Sequence, residues 1–581
     1  MTAMANVLSS AYALAAPFWD MRKRPVAFLL LAVIIALDLG LVAIAVLLTY
    51  WQRAFFNSLE DRDWDAFINL LTTWDASGDA WMPGFGPILV FYVLFTVYLL
   101  YLKQALQIRW RQWMTHDFVD RWMADRHYYV SGLGIGRTEN ADQRIAEDID
   151  LFIDGTLTLG LGLLSSLVSV VSFIVLLWSL SETIVVFGVA VPGYLVWLAL
   201  LYAGAGTLGT HLFGRRLIGL NFDRQKAEAD FRYGLIQVRD NAESVAFSAG
   251  EDNEKRNLSG LFGVVTANWR NIMTVTKRMT FFTSAYNQAA LVFPLAISAP
   301  AYFAGRIPLG GIFQTAGAFV QVQVALSWFV DNYAKIAEWT ATIRRLRGFV
   351  EAQREAARHT DGIDLERGGT GLEAAALSVR LPQGRPVVDE ADIRVDPGDK
   401  VLITGPSGVG KSVFLRAIAG IWPHASGRMR KPDGRFMILP QKPYMPTGTL
   451  ARAIAYPDAE TTFSADAIRH ALETVGLGHL GDELDRADTW RDRLSGGELQ
   501  RLALAKAILQ QPDWLILDEA TAHLDDAWEQ RVYEIIETEL ERTTIITVAH
   551  RQAAIPRHTR FFTLDDRRIV ETASPPGSSQ G

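Results

Sequence analysis

The sequence predicts a multidomain chain: an α-helical membrane domain of six transmembrane helices, followed by a soluble α/β domain. Three observations predict it. Half of the 581 residues are hydrophobic and only 20% are charged, and the apolar share concentrates between Val26 and Val330. Six stretches in that region approach the roughly 20 residues that a bilayer-crossing helix needs. Beyond the glycine-rich break Arg367-Gly-Gly-Thr-Gly-Leu372, short strands alternate with helical stretches, the pattern of an α/β layer fold.

The six stretches lie near Val26–Tyr50, Pro87–Leu102, Gly155–Leu180, Ile184–Leu212, Phe281–Phe303 and Gly310–Val330. The first follows Arg22-Lys23-Arg24 but is too long for a signal-peptide core, so it reads as a span. Buried helices of a soluble enzyme could explain one or two such runs, not six. Lys and Arg set the orientation. The connections between spans two and three and between four and five carry 7 and 11 of them, against only Arg53, Arg62 and Arg306 on the other side. The positive-inside rule then places both termini and the soluble domain in the cytoplasm. The first outer loop is acidic, with Glu60, Asp61, Asp63, Asp65, Asp75 and Asp79.

The two inner connections are long and keep a helical pattern, with few breakers until Gly132 and Gly250. Spans that continue into the cytoplasm and turn there fit this pattern. The expected organisation is a cytoplasmic segment 1–25, a membrane domain 26–350, a linker 351–370, a soluble domain 371–572 and a disordered tail 573–581, rich in Pro, Gly and Ser. A net charge of −7 argues against a nucleic-acid partner. The absence of cysteine excludes disulfides, zinc ribbons and thiol catalysis.

Polar residues within the spans are candidates for a substrate path. They are Asp38 in the first, Asn287 and Gln288 in the fifth, and Gln314 and Gln321, seven apart on one helical face, in the sixth. For Asp38 the alternative is a purely structural pairing between helices.

In the soluble part, Lys400–Thr404 reads as a strand entering Gly405-Pro406-Ser407-Gly408-Val409-Gly410-Lys411-Ser412. This is a phosphate loop in its required context of strand, glycine turn and helix. Its backbone N–H groups and the helix N-terminus cradle phosphates, Lys411 reaches the β- and γ-phosphates, and Ser412 offers a hydroxyl to Mg²⁺. Trp514–Glu519 is an apolar strand ending in two carboxylates. Asp518 would hold Mg²⁺, and Glu519 would orient the attacking water. Between them, Leu494-Ser495-Gly496-Gly497-Glu498 opens a helix and offers a second anion cradle. A second cradle needs a second nucleotide, which two chains packed head-to-tail supply.

The ordered set resembles the ATPases of ATP-binding cassette transporters: the phosphate loop at 405–412, Gln441 in LPQKPYM, LSGGE at 494–498, LILDE at 515–519, Ala522-His-Leu-Asp525, and His550 in TVAHR. By that resemblance Gln441 senses Mg²⁺ and the membrane-domain contact, Asp525 couples two ATP sites, and His550 contacts the γ-phosphate. One departure matters. Where the family places an aromatic residue to stack on adenine, this chain has Leu381. Base stacking is then weaker or falls to another residue.

Asn140–Asp148, Ala242–Phe247 and Trp490–Glu498 are similar to the group holding the SbmA/BacA peptide transporters, their ATPase-fused bacterial relatives and the peroxisomal fatty-acyl transporters. Tyr50–Asn57 and Asp61–Phe67 resemble the first outer segment of the bacterial branch. The resemblance implies a homodimeric, ATP-driven translocase in the bacterial inner membrane. It also implies uptake of antimicrobial peptides or bleomycin- or cobalamin-like solutes. The rival expectations are an exporter of lipids or amphipathic compounds and an ATPase scaffold regulating a partner channel.

Overall fold

The computed structural model describes residues 2–72, 74–75, 82–135, 140–181, 184–186, 189–358, 363–549 and 552–572. Asp79, His550 and the 573–581 tail lie outside the described residues. Two compact units emerge. One comprises Met1–Trp122 with Glu139–Val350, the other Met123–Thr138 with Glu351–Gly581.

The first unit is helical: α1 (Thr2–Ala15), α2 (Pro25–Glu60), α3 (Trp64–Thr72), α4 (Phe85–Met123), α5 (Ile149–Leu180), α6 (Tyr194–Asp240), α7 (Glu251–Phe303), α8 (Leu309–Asp331) and α9 (Tyr333–Arg358). Pro25 sits in the first turn of α2, where its missing N–H removes no helical bond. Among the described residues, five helical stretches are long and apolar enough to cross a membrane by length and composition: Pro25–Glu60, Phe85–Gly132, Ala141–Leu180, Tyr194–Asp240 and Leu309–Arg358.

Two expected spans differ from their sequence reading. Phe281–Phe303 is helical as the end of α7, but Asn287, Gln288, Pro294 and Pro300 leave it short of that apolar content. Ile184–Leu212 becomes helical only at Tyr194, because Ile184–Val186 and Val189–Val191 pair as short antiparallel strands. Their β-branched residues favour extended backbone, and Pro192 holds the residue before it out of the helical region.

The inner connections are indeed helical continuations: α4, α6 and α7 run 39, 47 and 53 residues. At 1.5 Å per residue α7 reaches about 80 Å, far beyond a bilayer core of about 30 Å. Helices α6 and α7 pack closely. A Cβ on Gly206 would stand 2.2 Å from Tyr286 Cζ, so only glycine admits this approach. Beside it the Tyr202 hydroxyl donates to Tyr286 O at 2.6 Å and the Tyr286 hydroxyl donates to Tyr202 O at 3.0 Å. Each ring thus satisfies its polar end on the other helix, which a low-dielectric surrounding demands. Just before α5, Asp148 is 1% exposed and clamped by two arginines. Arg345 of α9 reaches it with Nη2 at 2.6 Å and Nε at 2.9 Å, and Arg144 with Nη1 at 2.7 Å.

Besides a short two-stranded ribbon of Gly448–Thr449 and Ala487–Asp488, the described residues of the second unit form two larger sheets built from β1 (Asp364–Arg367), β2 (Leu372–Arg380), β3 (Pro386–Val395), β4 (Lys400–Thr404), β5 (Ala425–Lys431), β6 (Phe436–Leu439), β7 (Trp514–Asp518), β8 (Thr544–Val548), β9 (Arg560–Asp565) and β10 (Arg568–Thr572). The main sheet has the order β6-β7-β8-β4-β9-β10, parallel except for β10. Its central strands are buried on both faces, which is why they read as continuous apolar runs. The second sheet, β1-β5-β2-β3, is mostly antiparallel.

Within 351–370, expected as linker, α9 runs on to Arg358 and β1 pairs with β5. The strong helix formers of Glu351–Arg358 account for the extension. Met123–Thr138, from the first inner connection, belongs to this second unit. There Arg126 Nη1 donates to Gly420 O at 3.1 Å, and Leu133 packs on the core around Phe414 and Trp422.

Candidate functional site

Strand β4 ends at Thr404 in the middle of the main sheet, and the phosphate loop turns into α10 (Lys411–Ile418). The carboxyl edge of parallel strands is where α/β folds bind ligands. Gly410 caps α10 with φ of 109°, and a Cβ there would stand 2.3 Å from Val387 Cγ1. Any side chain would therefore be both strained and blocked.

Lys411 Nζ donates to Gly405 O and Pro406 O, each at 2.9 Å, so the amine lies across the loop. Burial lowers its pKa, and the carboxylates of Glu519 and Asp518 oppose that shift. Strand β7 delivers Asp518 beside the loop, where its Oδ1 accepts from Ser412 Oγ at 2.8 Å. Burial raises the Asp518 pKa against that hydrogen bond.

Glu519 has φ of 50°, unusual for a side-chain-bearing residue. Its N–H bonds to Val548 O at 3.1 Å, and its Oε2 accepts from Gln441 Nε2 at 3.3 Å. Such backbone strain persists where surrounding structure holds it, and it recurs at catalytic positions. Lys411, Ser412 and Glu519 line one cavity of about 230 Å³ together with Leu381 and Arg385.

Hydroxyl, carboxylate and amide oxygens are the hard donors that Mg²⁺ prefers. Ser412 and Asp518 already touch, and the raised pKa of Asp518 marks a buried carboxylate that a cation would relieve. The residues present fit the ion.

The Leu494–Glu498 segment, the signature segment of the set, caps α11 (Gly496–Gln510) with a capping box. Ser495 Oγ accepts from Glu498 N at 3.3 Å, and Ser495 N donates back to Glu498 Oε2 at 2.9 Å. Bonds from Ser495 hold the Glu498 carboxyl below the usual range. The anion cradle read from the sequence thus carries its own carboxylate, a feature the glycine pattern did not reveal. Asp525 caps α12 (Asp526–Glu539), accepting from Trp528 N at 2.8 Å.

Gln500 links three of the motifs. Its Nε2 reaches Gln441 O at 3.4 Å and His523 Nδ1 at 3.0 Å, and its Oε1 accepts from His523 N at 3.0 Å. Its role could not be read from the sequence, because a glutamine on a helix face looks solvated until its neighbours are known. Arg385, on the turn between β2 and β3, was likewise invisible before the fold brought it to the cavity.

In the membrane unit, Asp38 is half-buried and accepts from Ser165 Oγ. Asn287 and Gln288 are exposed on α7. Asn287 Oδ1 accepts from Gln323 Nε2 at 3.4 Å, and Gln288 lines an open groove with Trp269, Met273 and Phe281. Gln314 is wholly buried and accepts from Arg53 Nη1 at 3.5 Å, whereas Gln321 is half-buried. Gln314 and Gln321 therefore differ in surroundings despite their spacing, since neighbouring helices cover the first fully and the second only in part.

The family described as ABC transporter transmembrane region 2 matches residues 21–303, and the family described as ABC transporter matches 388–522. The chain is 33% identical to the "Inner membrane ABC transporter ATP-binding protein YddA" of Escherichia coli (strain K12), over 92% of this chain and 93% of that protein. It is 30% identical to "ABC transporter D family member 2, chloroplastic" of Arabidopsis thaliana, over 97% of this chain and 86% of that protein. A solved structure titled "Structure of a bacterial Atm1-family ABC exporter with ATP bound" superposes with a TM-score of 0.69 at 17% identity, covering 95% of both chains. That likeness gives the fold, an exporter-type helical membrane domain with a C-terminal nucleotide-binding domain, and transporters of this fold work as dimers within a membrane. The chain belongs to the ATP-binding cassette transporters, related to subfamily D and to bacterial YddA-like proteins, and couples ATP hydrolysis to transport.

Proposed function

We propose that this chain works as a homodimer in the bacterial inner membrane, with its ATPase units cytoplasmic, and takes up bulky hydrophilic solutes such as peptides or bleomycin- or cobalamin-like compounds. The observation that carries this reading is the exposure of the polar pair Asn287 and Gln288 on α7, in the stretch read from the sequence as the fifth span, where an exporter of lipids would present apolar side chains. The sequence resemblance to the SbmA/BacA group supports it. Asp38 and Gln321, both half-buried, complete the proposed polar lining, whereas Gln314, expected there from the sequence, is wholly buried and does not line it.

The chemistry assigned to the ATP site follows from its geometry. Lys411 and the loop amides bind the phosphates, and Ser412, Asp518 and Gln441 hold Mg²⁺, which would neutralise developing charge on the phosphates. Glu519 orients the attacking water and takes its proton. His550 is assigned the γ-phosphate contact by resemblance. Ser495, Gly496 and Gly497 of one protomer would close over the nucleotide of its partner, with Asp525 coupling the two sites.

The test compares accumulation of labelled peptide and labelled cobalamin in cells carrying the wild-type protein or Glu519→Gln. Uptake that needs Glu519 is expected. Equal accumulation in both, or ATP-dependent release of lipid from vesicles without solute uptake, would overturn the reading. Asp38→Asn is expected to reduce uptake while leaving ATP hydrolysis within about twofold, and unchanged uptake would return Asp38 to a structural pairing with Ser165.

A further inference from the structure

The cavity at the phosphate loop has two ends. Lys411, Ser412 and Glu519 form one, and the turn between β2 and β3 supplies Leu381, Arg385 and Pro386 to the lining. That turn is closed by Leu381 N to Arg385 O at 2.8 Å and Gly384 N to Leu381 O at 2.8 Å, so the two residues are held across a short loop. Among the described residues, no aromatic side chain lines the cavity, nor does any Asn, Gln or Asp that could read the edge of a base. Arg380, at the start of the turn, is tied down through Nη1 to Gly384 O at 3.4 Å. Arg385 is not: its side chain is exposed and has no hydrogen-bond or ion-pair partner among the described residues.

A guanidinium is planar, delocalised and weakly hydrated, and it stacks on π-faces as an aromatic ring does. We infer that Arg385 stacks on the nucleobase of the bound nucleotide, with half-buried Leu381 as the apolar floor, and that the site is consequently tolerant of the base. Stacking is available to every base because each has a π-face, whereas discrimination needs hydrogen bonds to the base edge. Arg385 therefore fixes affinity for the nucleoside part, and GTP binds about as well as ATP. This deepens the ATP-binding assignment and rests on it.

Titration calorimetry on the purified full-length protein tests the idea, in a Glu519→Gln background that prevents turnover. The probes are MgATP, MgGTP and inorganic triphosphate. ATP and GTP are expected to bind within about threefold of each other. Arg385→Ala should weaken both by about 3- to 30-fold, the range of a cation–π contact. Triphosphate affinity should stay within about twofold, which also reports an intact phosphate loop.

Arg385→Lys keeps the charge and loses the plane, so it should behave like Arg385→Ala. Adding Leu381→Tyr to Arg385→Ala should recover ATP affinity by restoring a stacking surface. The inference is overturned if Arg385→Lys binds ATP like the parent, or if triphosphate weakens as much as ATP, because Arg385 would then serve the phosphates as a charge. It is also overturned if Arg385→Ala leaves ATP binding unchanged. Loss of triphosphate binding in the parent itself would instead overturn the phosphate-loop assignment.

Discussion

Replacing Gln500 tests whether the signature helix, the Gln441 segment and the segment after Glu519 move as one piece. Gln500 is 5% exposed, so its amide has few routes to water. The His523 N–H can only donate, which fixes Oε1 as its acceptor at 3.0 Å. Nε2 must then donate to His523 Nδ1 at 3.0 Å, and the imidazole must carry its proton on the other nitrogen. The third bond, to Gln441 O at 3.4 Å, is long and counts for little. Gln500→Leu removes two well-formed bonds, each with a net contribution of about 0.5–1.5 kcal/mol, so about 1–3 kcal/mol of positioning is lost. If that loss falls on the catalytic arrangement around Glu519, kcat for ATP hydrolysis drops about 5- to 150-fold. KM for ATP should stay within about twofold, because Gln500 makes no bond to the phosphate loop. Steady-state phosphate release by the purified protein reads both constants. An unchanged kcat, or a raised KM with kcat preserved, would refute the linkage. Gln500→Glu sharpens the test: it retains the acceptor for His523 N but loses the donor to Nδ1. The neutral imidazole can answer the lost donor by carrying its proton on Nδ1, so kcat should fall less than in Gln500→Leu, an ordering that a general packing defect would not show.

Two further outcomes are expected. Lys506 is buried on α11, donates to Tyr444 O at 3.0 Å, and has its pKa pushed down to about 8 by burial. Below pH 8 the folded protein bears the full cost of burying that charge. Between pH 8 and 10.5 the unfolded chain binds more protons than the folded one, so this penalty of about 3 kcal/mol is relieved as pH rises. The stability advantage of Lys506→Met over wild type, read by thermal unfolding of the solubilised protein, should shrink across that window; a pH-independent difference would refute the assignment. Asp148→Asn leaves Arg345 and Arg144 facing an uncharged amide in a buried place. A loss of about 3–5 kcal/mol in unfolding stability is expected. A loss below about 1 kcal/mol would show that water reaches the pair.

Much of this protein was legible in the sequence because its signals are local. Apolar runs longer than a bilayer is thick demand a membrane, whatever surrounds them. A strand entering Gly405–Ser412 needs glycine where the backbone turns left-handed, so the phosphate loop announces itself. Other features depend on which residues meet across long separations. Ile184 reads as apolar span, yet pairing with Val191 and the break at Pro192 move the helix start to Tyr194. Gln314 and Gln321 share a helical face on paper, but packing buries the first and leaves the second half-exposed. Gln500 and Arg385 carry no motif of their own, and the Asn140–Asp148 stretch does not reveal which residues Asp148 meets. Asp148 finds Arg345 197 residues away, and Gln500 finds His523 23 residues on, because hydrogen bonds and ion pairs form between whatever the fold brings within 3 Å. The chemistry of phosphate binding was written in consecutive residues. How that chemistry is held in place, and what faces the base, depended on the tertiary arrangement.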